Sequence, residues 1–259
     1  MNSIDRLATD LPVFLLAGTR VGGVLMLLPV FGRGAIPGVH RVWMTILLSL
    51  LLFPLAAPGG VPEAVGAGYI PLVARELSVG MLLGFTVLLF LESAKYAGRI
   101  AGVHIGFGLA NVIDPVTEEQ NTLIDQLQGM MVLVLFLLLG GHRAALLALG
   151  KSFQIVPLGQ GSISPGLAEG LVRLFCQMIV LGVQIAAPVL ASVFLTESVI
   201  GVLSRGVPQM NIFTVGLALR IVVGILVLMA TMPVFVSLMR GAIESIPLEL
   251  HGLLGQLAP

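Results

Sequence analysis

Six charged side chains lie within or at the edges of long apolar runs of this sequence: Arg20, Arg75, Glu76, Glu92, Glu197 and Arg220. A charge inside a bilayer is costly, so such residues normally face other helices, a water-filled path or a counter-charge. Lys95 and Arg99 follow Glu92 at i+3 and i+7, on one helical face, where opposite charges partly neutralise one another. We expect a buried-charge network that forms either the wall of a polar conduit or internal ion pairs that fix helix register.

Patterns that would support catalysis are missing from the sequence. The histidines at positions 40, 104, 142 and 251 are scattered without the spacing of metal ligands. Gly150-Lys151-Ser152 lacks the first glycine of a phosphate-binding loop, because Ala145 stands in its place. The single cysteine, Cys176, rules out an intrachain disulfide and a cysteine-based metal cluster. We therefore predict no catalytic residues, no metal site and no cofactor.

The composition indicates an integral membrane protein. Of the 259 residues, 57% are hydrophobic and only 10% are charged, and the mean hydropathy is +1.08. A soluble domain carries about 25% charged residues, so this chain lacks the polar side chains to cover its own surface. Lipid or other apolar subunits must cover it instead. The formal net charge is zero, and nothing suggests a nucleic-acid partner.

The apolar runs are continuous, which in a bilayer favours helices over a barrel of alternating strands. The candidate spans are Leu11–Phe31, Val42–Leu55, Tyr69–Leu91, Leu127–Leu139 (with an extension to Leu149), Leu171–Ile200 and Ile212–Leu238. Prolines or charges interrupt several of them. We predict an all-α membrane protein of helical hairpins with several kinked or broken helices, organised as a single domain over residues 1–259.

Gly98, Gly102 and Gly106 recur every four residues, which on a helix leaves one face without side chains. Such a face lets two backbones approach closely, although a chain with 32 glycines also produces this spacing by chance. The segment that follows ends the helix, because Pro115 disfavours the α conformation at Asp114. We expect either an acidic loop outside the membrane, with Asp114, Glu118, Glu119 and Asp125, or an apolar loop that lines a cavity.

Four pieces of the sequence resemble the FliR family of flagellar biosynthetic proteins, whose injectisome relatives are the SctT proteins. They are Pro29–Gly32 with Ile36-Pro37, Gly106–Pro115, Gly141-His142 and Ser204–Phe213. They occur in family order over roughly residues 10 to 240. The family motif in the last piece comprises Arg205, Pro208, Gln209 and Asn211.

The resemblance implies a subunit of the flagellar type III export gate, a closed helical assembly in the bacterial inner membrane and flagellar basal body. Its partners would be FliP-like and FliQ-like subunits, an FlhB-like switch protein, an FlhA-like export ring, membrane lipid and unfolded protein substrates. The implied pore plug consists of Gly108, Leu109, Ala110, Asn111, Val112, Ile113, Asp114 and Pro115. Other family members carry aromatic residues in this plug, whereas Leu109 and Val112 stand here, so we expect an apolar seal.

Three alternatives stay open at this point. The first alternative is an injectisome export-gate subunit. The second is a stand-alone small-solute transporter that uses broken helices and buried charges as its binding site. A membrane-embedded enzyme is the third alternative, although the sequence shows no paired nucleophile and base. Transport of a labelled solute by the isolated protein would favour the transporter.

Overall fold

The computed structural model describes residues 3–29, 37–56, 68–108, 122–162, 164–206 and 211–258. These ranges contain eight α-helices: α1 (Ser3–Leu27), α2 (Gly38–Ala56), α3 (Tyr69–Ile105), α4 (Leu123–Leu138), α5 (Gly141–Ile155), α6 (Pro165–Gly206), α7 (Ile212–Ala230) and α8 (Met232–Leu257). The described residues include no strand. The prediction of an all-α membrane protein is confirmed.

The last candidate run, Ile212–Leu238, which holds Pro233, forms two helices rather than one. α7 ends at Ala230, and Thr231 caps it by donating its hydroxyl to the carbonyl oxygen of Val227 at 2.9 Å. Pro233 then lies in the first turn of α8, where its missing N–H costs no helical hydrogen bond. Hydropathy does not detect this break, since the side chains on both sides of it are apolar.

Within the described ranges, four helices are long and apolar enough to cross a membrane: α2, α3, α6 from Gly166, and α7 from Phe213. The pair α4 and α5 would together form a fifth, broken span. Gly140, which joins them, has φ +71°, a conformation that glycine adopts without strain. The predicted extension of the fourth run to Leu149 therefore contains a helix break at Gly140.

The chain forms two compact units. Unit 1 comprises Met1–Leu89, Gly140–Leu174 and Glu244–Pro259, and unit 2 comprises Phe90–Leu139 and Phe175–Ile243. We retain the single family domain as a prediction, because α3, α6 and α8 each contribute residues to both units.

In unit 1, α1 and α3 cross at very short distance. A Cβ atom at Gly80 would overlap the carbonyl group of Arg20, and one at Gly84 would lie 2.8 Å from the carbonyl oxygen of Val24. On another side of α1, Gly22 faces Thr45 of α2 at an ordinary contact distance of 3.6 Å. Glycine thus brings α1 and α3 together and positions Arg20 against α3.

In unit 2, a hydrophobic cluster surrounds the end of α3. Ala101 and Ile105 of α3 pack with Ile124 of α4, and with Val189 and Val193 of α6. Partly buried residues of α7 and α8 and the side chain of Phe107 cover this cluster. The end of α3 and the start of α4 are therefore fixed on one core.

Candidate functional site

The most deeply buried charges of the described chain are Arg20 and Glu76, whose side chains have no solvent exposure. The Nε atom of Arg20 donates to Oε2 of Glu76 at 2.6 Å. Its Nη1 atom donates to the carbonyl oxygens of Ser152 and Val156, both at 2.9 Å. The other oxygen of Glu76, Oε1, accepts from the backbone N–H of Gly159 at 2.8 Å.

These contacts give partners to both oxygens of Glu76 and to Nε and Nη1 of Arg20, whereas the buried Nη2 atom of Arg20 has no hydrogen-bond partner among the described residues. Taking two charges out of water costs several kcal/mol per ion, and this cost is offset only when geometry is good and the remaining polar atoms are satisfied. The guanidinium carbon of Arg20 also lies 4.6 Å from the ring centroid of Phe153, a favourable cation–π distance. We conclude that the arrangement fixes α1, α3 and the end of α5 in register.

The other predicted charges form separate pairs rather than one network. In unit 2, Lys95 pairs with Glu92 at 2.6 Å, and both side chains are partly exposed. Arg220 of α7 pairs with Glu197 of α6 at 2.8 Å. In unit 1, Arg75 is exposed and donates to the carbonyl oxygen of Gly159 at 3.3 Å.

The predicted packing glycines lie on the α3–α4 hairpin of unit 2. A Cβ atom at Gly98 would lie 2.6 Å from the Cα atom of Asp125, and one at Gly102 would overlap the side chain of Thr122. One turn before Gly98, the aliphatic stem of Lys95 approaches Gly129. The two helices of the hairpin, α3 and α4, therefore approach each other as closely as backbone atoms allow at the point where α4 begins.

Asp125 was expected in an irregular acidic loop, and this prediction was wrong. Asp125 lies in the first turn of α4, is 3% exposed, and forms a capping box with Thr122. Its Oδ2 atom accepts from the N–H of Thr122 at 3.1 Å, and the Thr122 hydroxyl accepts from the N–H of Asp125 at 3.3 Å. Arg99 of α3 pairs with the same carboxylate at 3.6 Å. The sequence carries the signal, because Thr-x-x-Asp before an apolar run resembles a capping box.

Gly106 ends α3 rather than continuing its glycine face. Its φ is +117°, which glycine adopts more readily than any other residue, and α3 ends at Ile105. The backbone N–H of Phe107 donates to the carbonyl oxygen of Gly102 at 3.0 Å. Gly108, the first residue of the predicted plug, is described, and the other members of the plug, 109–115, lie outside the described residues.

The family motif is described only in part. Arg205 lies exposed in the last turn of α6, and Asn211 caps the start of α7 by accepting from the N–H of Thr214 at 3.4 Å. Pro208 and Gln209 lie outside the described residues.

Sequence reasoning missed the partners of the buried pair. The side chains of Arg20 and Glu76 form hydrogen bonds with Ser152, Val156 and Gly159, which lie far from both charges in the sequence. Two of these contacts use backbone carbonyl oxygens and one uses a backbone N–H, for which residue type offers no signal, while the Ser152 hydroxyl also accepts from Nη1 of Arg20 at 3.2 Å. Within the described chain, no three acidic, histidine or cysteine side chains come together as metal ligands.

A family model described as bacterial export proteins, family 1, matches residues 11–246 of the sequence. The chain belongs to this family. The match confirms the resemblance that the motifs indicated, and it includes the buried Arg20–Glu76 pair and the whole α3–α4 hairpin.

Curated relatives support membership of bacterial export family 1 along nearly the whole chain. The chain is similar to the flagellar biosynthetic protein FliR of Bacillus subtilis, with 33% identity over 243 residues, 93% of this chain and 92% of the relative. FliR of Escherichia coli is 24% identical over 214 residues, 83% of this chain and 82% of the relative. The surface presentation of antigens protein SpaR of Salmonella typhimurium is 28% identical over 211 residues, 81% of this chain and 79% of the relative.

Proposed function

We propose that this chain is a subunit of the flagellar type III protein export gate in the bacterial inner membrane, at the flagellar basal body. The observation that carries the proposal is the similarity to FliR of Bacillus subtilis over 93% of the chain at 33% identity. The flagellar system is preferred over an injectisome because the match to FliR of Bacillus subtilis is both higher in identity, 33% against 28%, and longer, 93% against 81% of this chain, than the match to SpaR.

The proposed partners are FliP-like and FliQ-like subunits, together with an FlhB-like switch protein and an FlhA-like export ring. Exposed apolar helix faces support an assembly of this kind. Only 11% of the apolar window of α2 is buried, against 61% for α3. On α2, Trp43, Leu47 and Leu50 are each 60% exposed or more. A face of this kind needs lipid or other subunits to cover it.

Within the assembly, the segment Gly108–Pro115 would act as an apolar plug that excludes water and ions until an unfolded substrate displaces it. The described residues on either side of the segment 109–121 support this role. Gly106 stops α3 on the hydrophobic cluster, and the Thr122–Asp125 capping box starts α4 against Gly98 and Gly102. The two helices that flank the proposed plug are therefore held in fixed positions.

The assembly is tested by co-expressing the tagged chain with the FliP-like and FliQ-like proteins of the same genome and measuring the mass of the purified complex. We expect one closed complex that contains a single copy of this chain. Co-expression of the tagged chain with only one of the two partners is the control, and it should not give the complete assembly. A monodisperse monomer from the full co-expression would contradict the proposal and would favour a stand-alone transporter.

A further inference from the structure

A groove of about 220 Å³ in unit 1 lies between α5 and α8 and belongs to none of the sites described above. α5 contributes Ala144, Leu147 and Lys151, and α8 contributes Pro247, His251 and Leu254. On each helix these positions are separated by three or four residues, so each set shares one helical face. The lining is apolar except for Lys151 and His251.

The two basic side chains of the groove are exposed. Within the described part of the chain, neither Lys151 nor His251 forms an ion pair. α5 contains no acidic residue, and the acids of α8 are Glu244 and Glu249. Glu249 pairs with an arginine of α6 at 3.4 Å, and Glu244 lies about 10 Å from His251 along the helix axis. The open side of the groove is therefore basic.

Basic side chains beside an apolar helix face bind the head groups of anionic phospholipids, because the phosphate meets positive charge while the acyl chains stay among apolar side chains. We propose that the α5–α8 groove binds one anionic phospholipid. Lys151 and His251 contact its phosphate, and the apolar lining holds part of one acyl chain. The site does not depend on the export function proposed above.

The size of the groove fits a chain segment rather than a whole lipid. An apolar cavity of about 150 Å³ accommodates a benzene molecule, so a groove of about 220 Å³ has room for several methylene groups. The rest of the acyl chain can lie along exposed apolar side chains beside the groove, such as Leu147, which is 58% exposed, and Leu248, which is 74% exposed. A helix from another subunit fits less well, because it would bury Lys151 and His251 unless it supplied an acid.

Native mass spectrometry of the full chain in mild detergent tests the site. The probes are phosphatidylglycerol and phosphatidylcholine with identical acyl chains. We expect the wild-type chain to retain phosphatidylglycerol about tenfold more strongly than phosphatidylcholine, and the double variant K151Q/H251Q to lose about that factor. The control variant R240Q/H104Q likewise removes one cationic side chain and one histidine, at exposed positions elsewhere, with Arg240 about 16 Å from His251 along α8. It should retain phosphatidylglycerol as the wild type does.

A second variant tests the apolar half of the site without changing charge. Ala144→Leu narrows the groove and should also reduce phosphatidylglycerol retention. If K151Q/H251Q fails to fold, the result for Ala144→Leu decides whether the groove binds the lipid. Inorganic phosphate should not displace the lipid, because it lacks the acyl chain. Equal retention of the two lipids, or wild-type retention by the variants that fold, would overturn the proposal. Displacement of the lipid by phosphate, or by added partner subunits that occupy the groove, would overturn it as well.

Discussion

Arg20 of α1 and Glu76 of α3 form an ion pair 2.6 Å long that no solvent reaches, although 56 residues separate them in the sequence. Both partners have further hydrogen bonds to the backbone around the end of α5. A buried pair of this kind contributes little net stability against apolar side chains of the same volume, but losing one partner is costly. We therefore infer that the pair specifies the register of α1 and α3 against the end of α5.

Glu76→Gln should destabilise the protein by about 3–5 kcal/mol, because it leaves the Arg20 cation buried without its counter-charge. The glutamine keeps the size of the side chain and can still accept from the Gly159 N–H. Reversible unfolding of the purified chain in mixed detergent micelles measures the change. Arg75→Gln, one residue earlier and exposed, is the matched control and should shift stability by no more than about 0.5 kcal/mol.

The double variant Arg20→Met/Glu76→Leu should recover most of the stability that Glu76→Gln loses, because no unpaired charge remains. If register specification is the role of the pair, the double variant should be stable and yet assemble poorly with its partner subunits. A double variant that is less stable than Glu76→Gln would contradict this account of the pair.

Gly80→Ala should destabilise the protein by about 1–3 kcal/mol, because the added Cβ overlaps the Arg20 carbonyl group and forces α1 and α3 apart. Gly241→Ala is the control, since α8 has open space around that position. Removing a helix-interior glycine there should instead stabilise by up to about 1 kcal/mol. The unfolding measurement described above distinguishes the expected loss of stability in Gly80→Ala from the expected gain in Gly241→Ala. Equal effects of the two substitutions would contradict the close crossing of α1 and α3.

Thr122→Ala should cost about 1 kcal/mol, because it removes the side-chain oxygen that caps α4. Thr122→Ser keeps that oxygen and should retain most of the stability. Hydrogen exchange of the amides in the first turn of α4 reports the same difference locally. Equal exchange rates in the two variants would show that the cap does not hold this end of the hairpin.

Leu109→Gly combined with Val112→Gly should increase ion conductance through the assembled gate, because the proposed seal depends on apolar side chains. Planar-bilayer recording of the purified complex measures the leak. The control is Thr117→Gly with Gln120→Gly, which adds the same two glycines outside the proposed plug. Unchanged conductance in the first variant would remove the plug from the proposal.

The sequence predicted the helical membrane fold because continuous apolar runs leave the backbone no other arrangement in lipid. Pro233 marked the run Ile212–Leu238 as interrupted, but the position of the break at Thr231 was not predicted, because hydropathy is uniform there while helix caps depend on single polar groups. The Glu92–Lys95 pair follows from i, i+3 spacing on one helix. The pairing of Arg20 with Glu76 depends instead on a crossing of two helices that only the tertiary structure defines.

The central claim is that flagellar protein export requires this chain, and the most direct measurement is the amount of flagellar filament protein that cells secrete into the medium. We expect deletion of the gene in the organism that encodes it to abolish this secretion, and a plasmid copy to restore it. Intracellular filament protein should still be made. Normal secretion in the deletion strain would contradict the account.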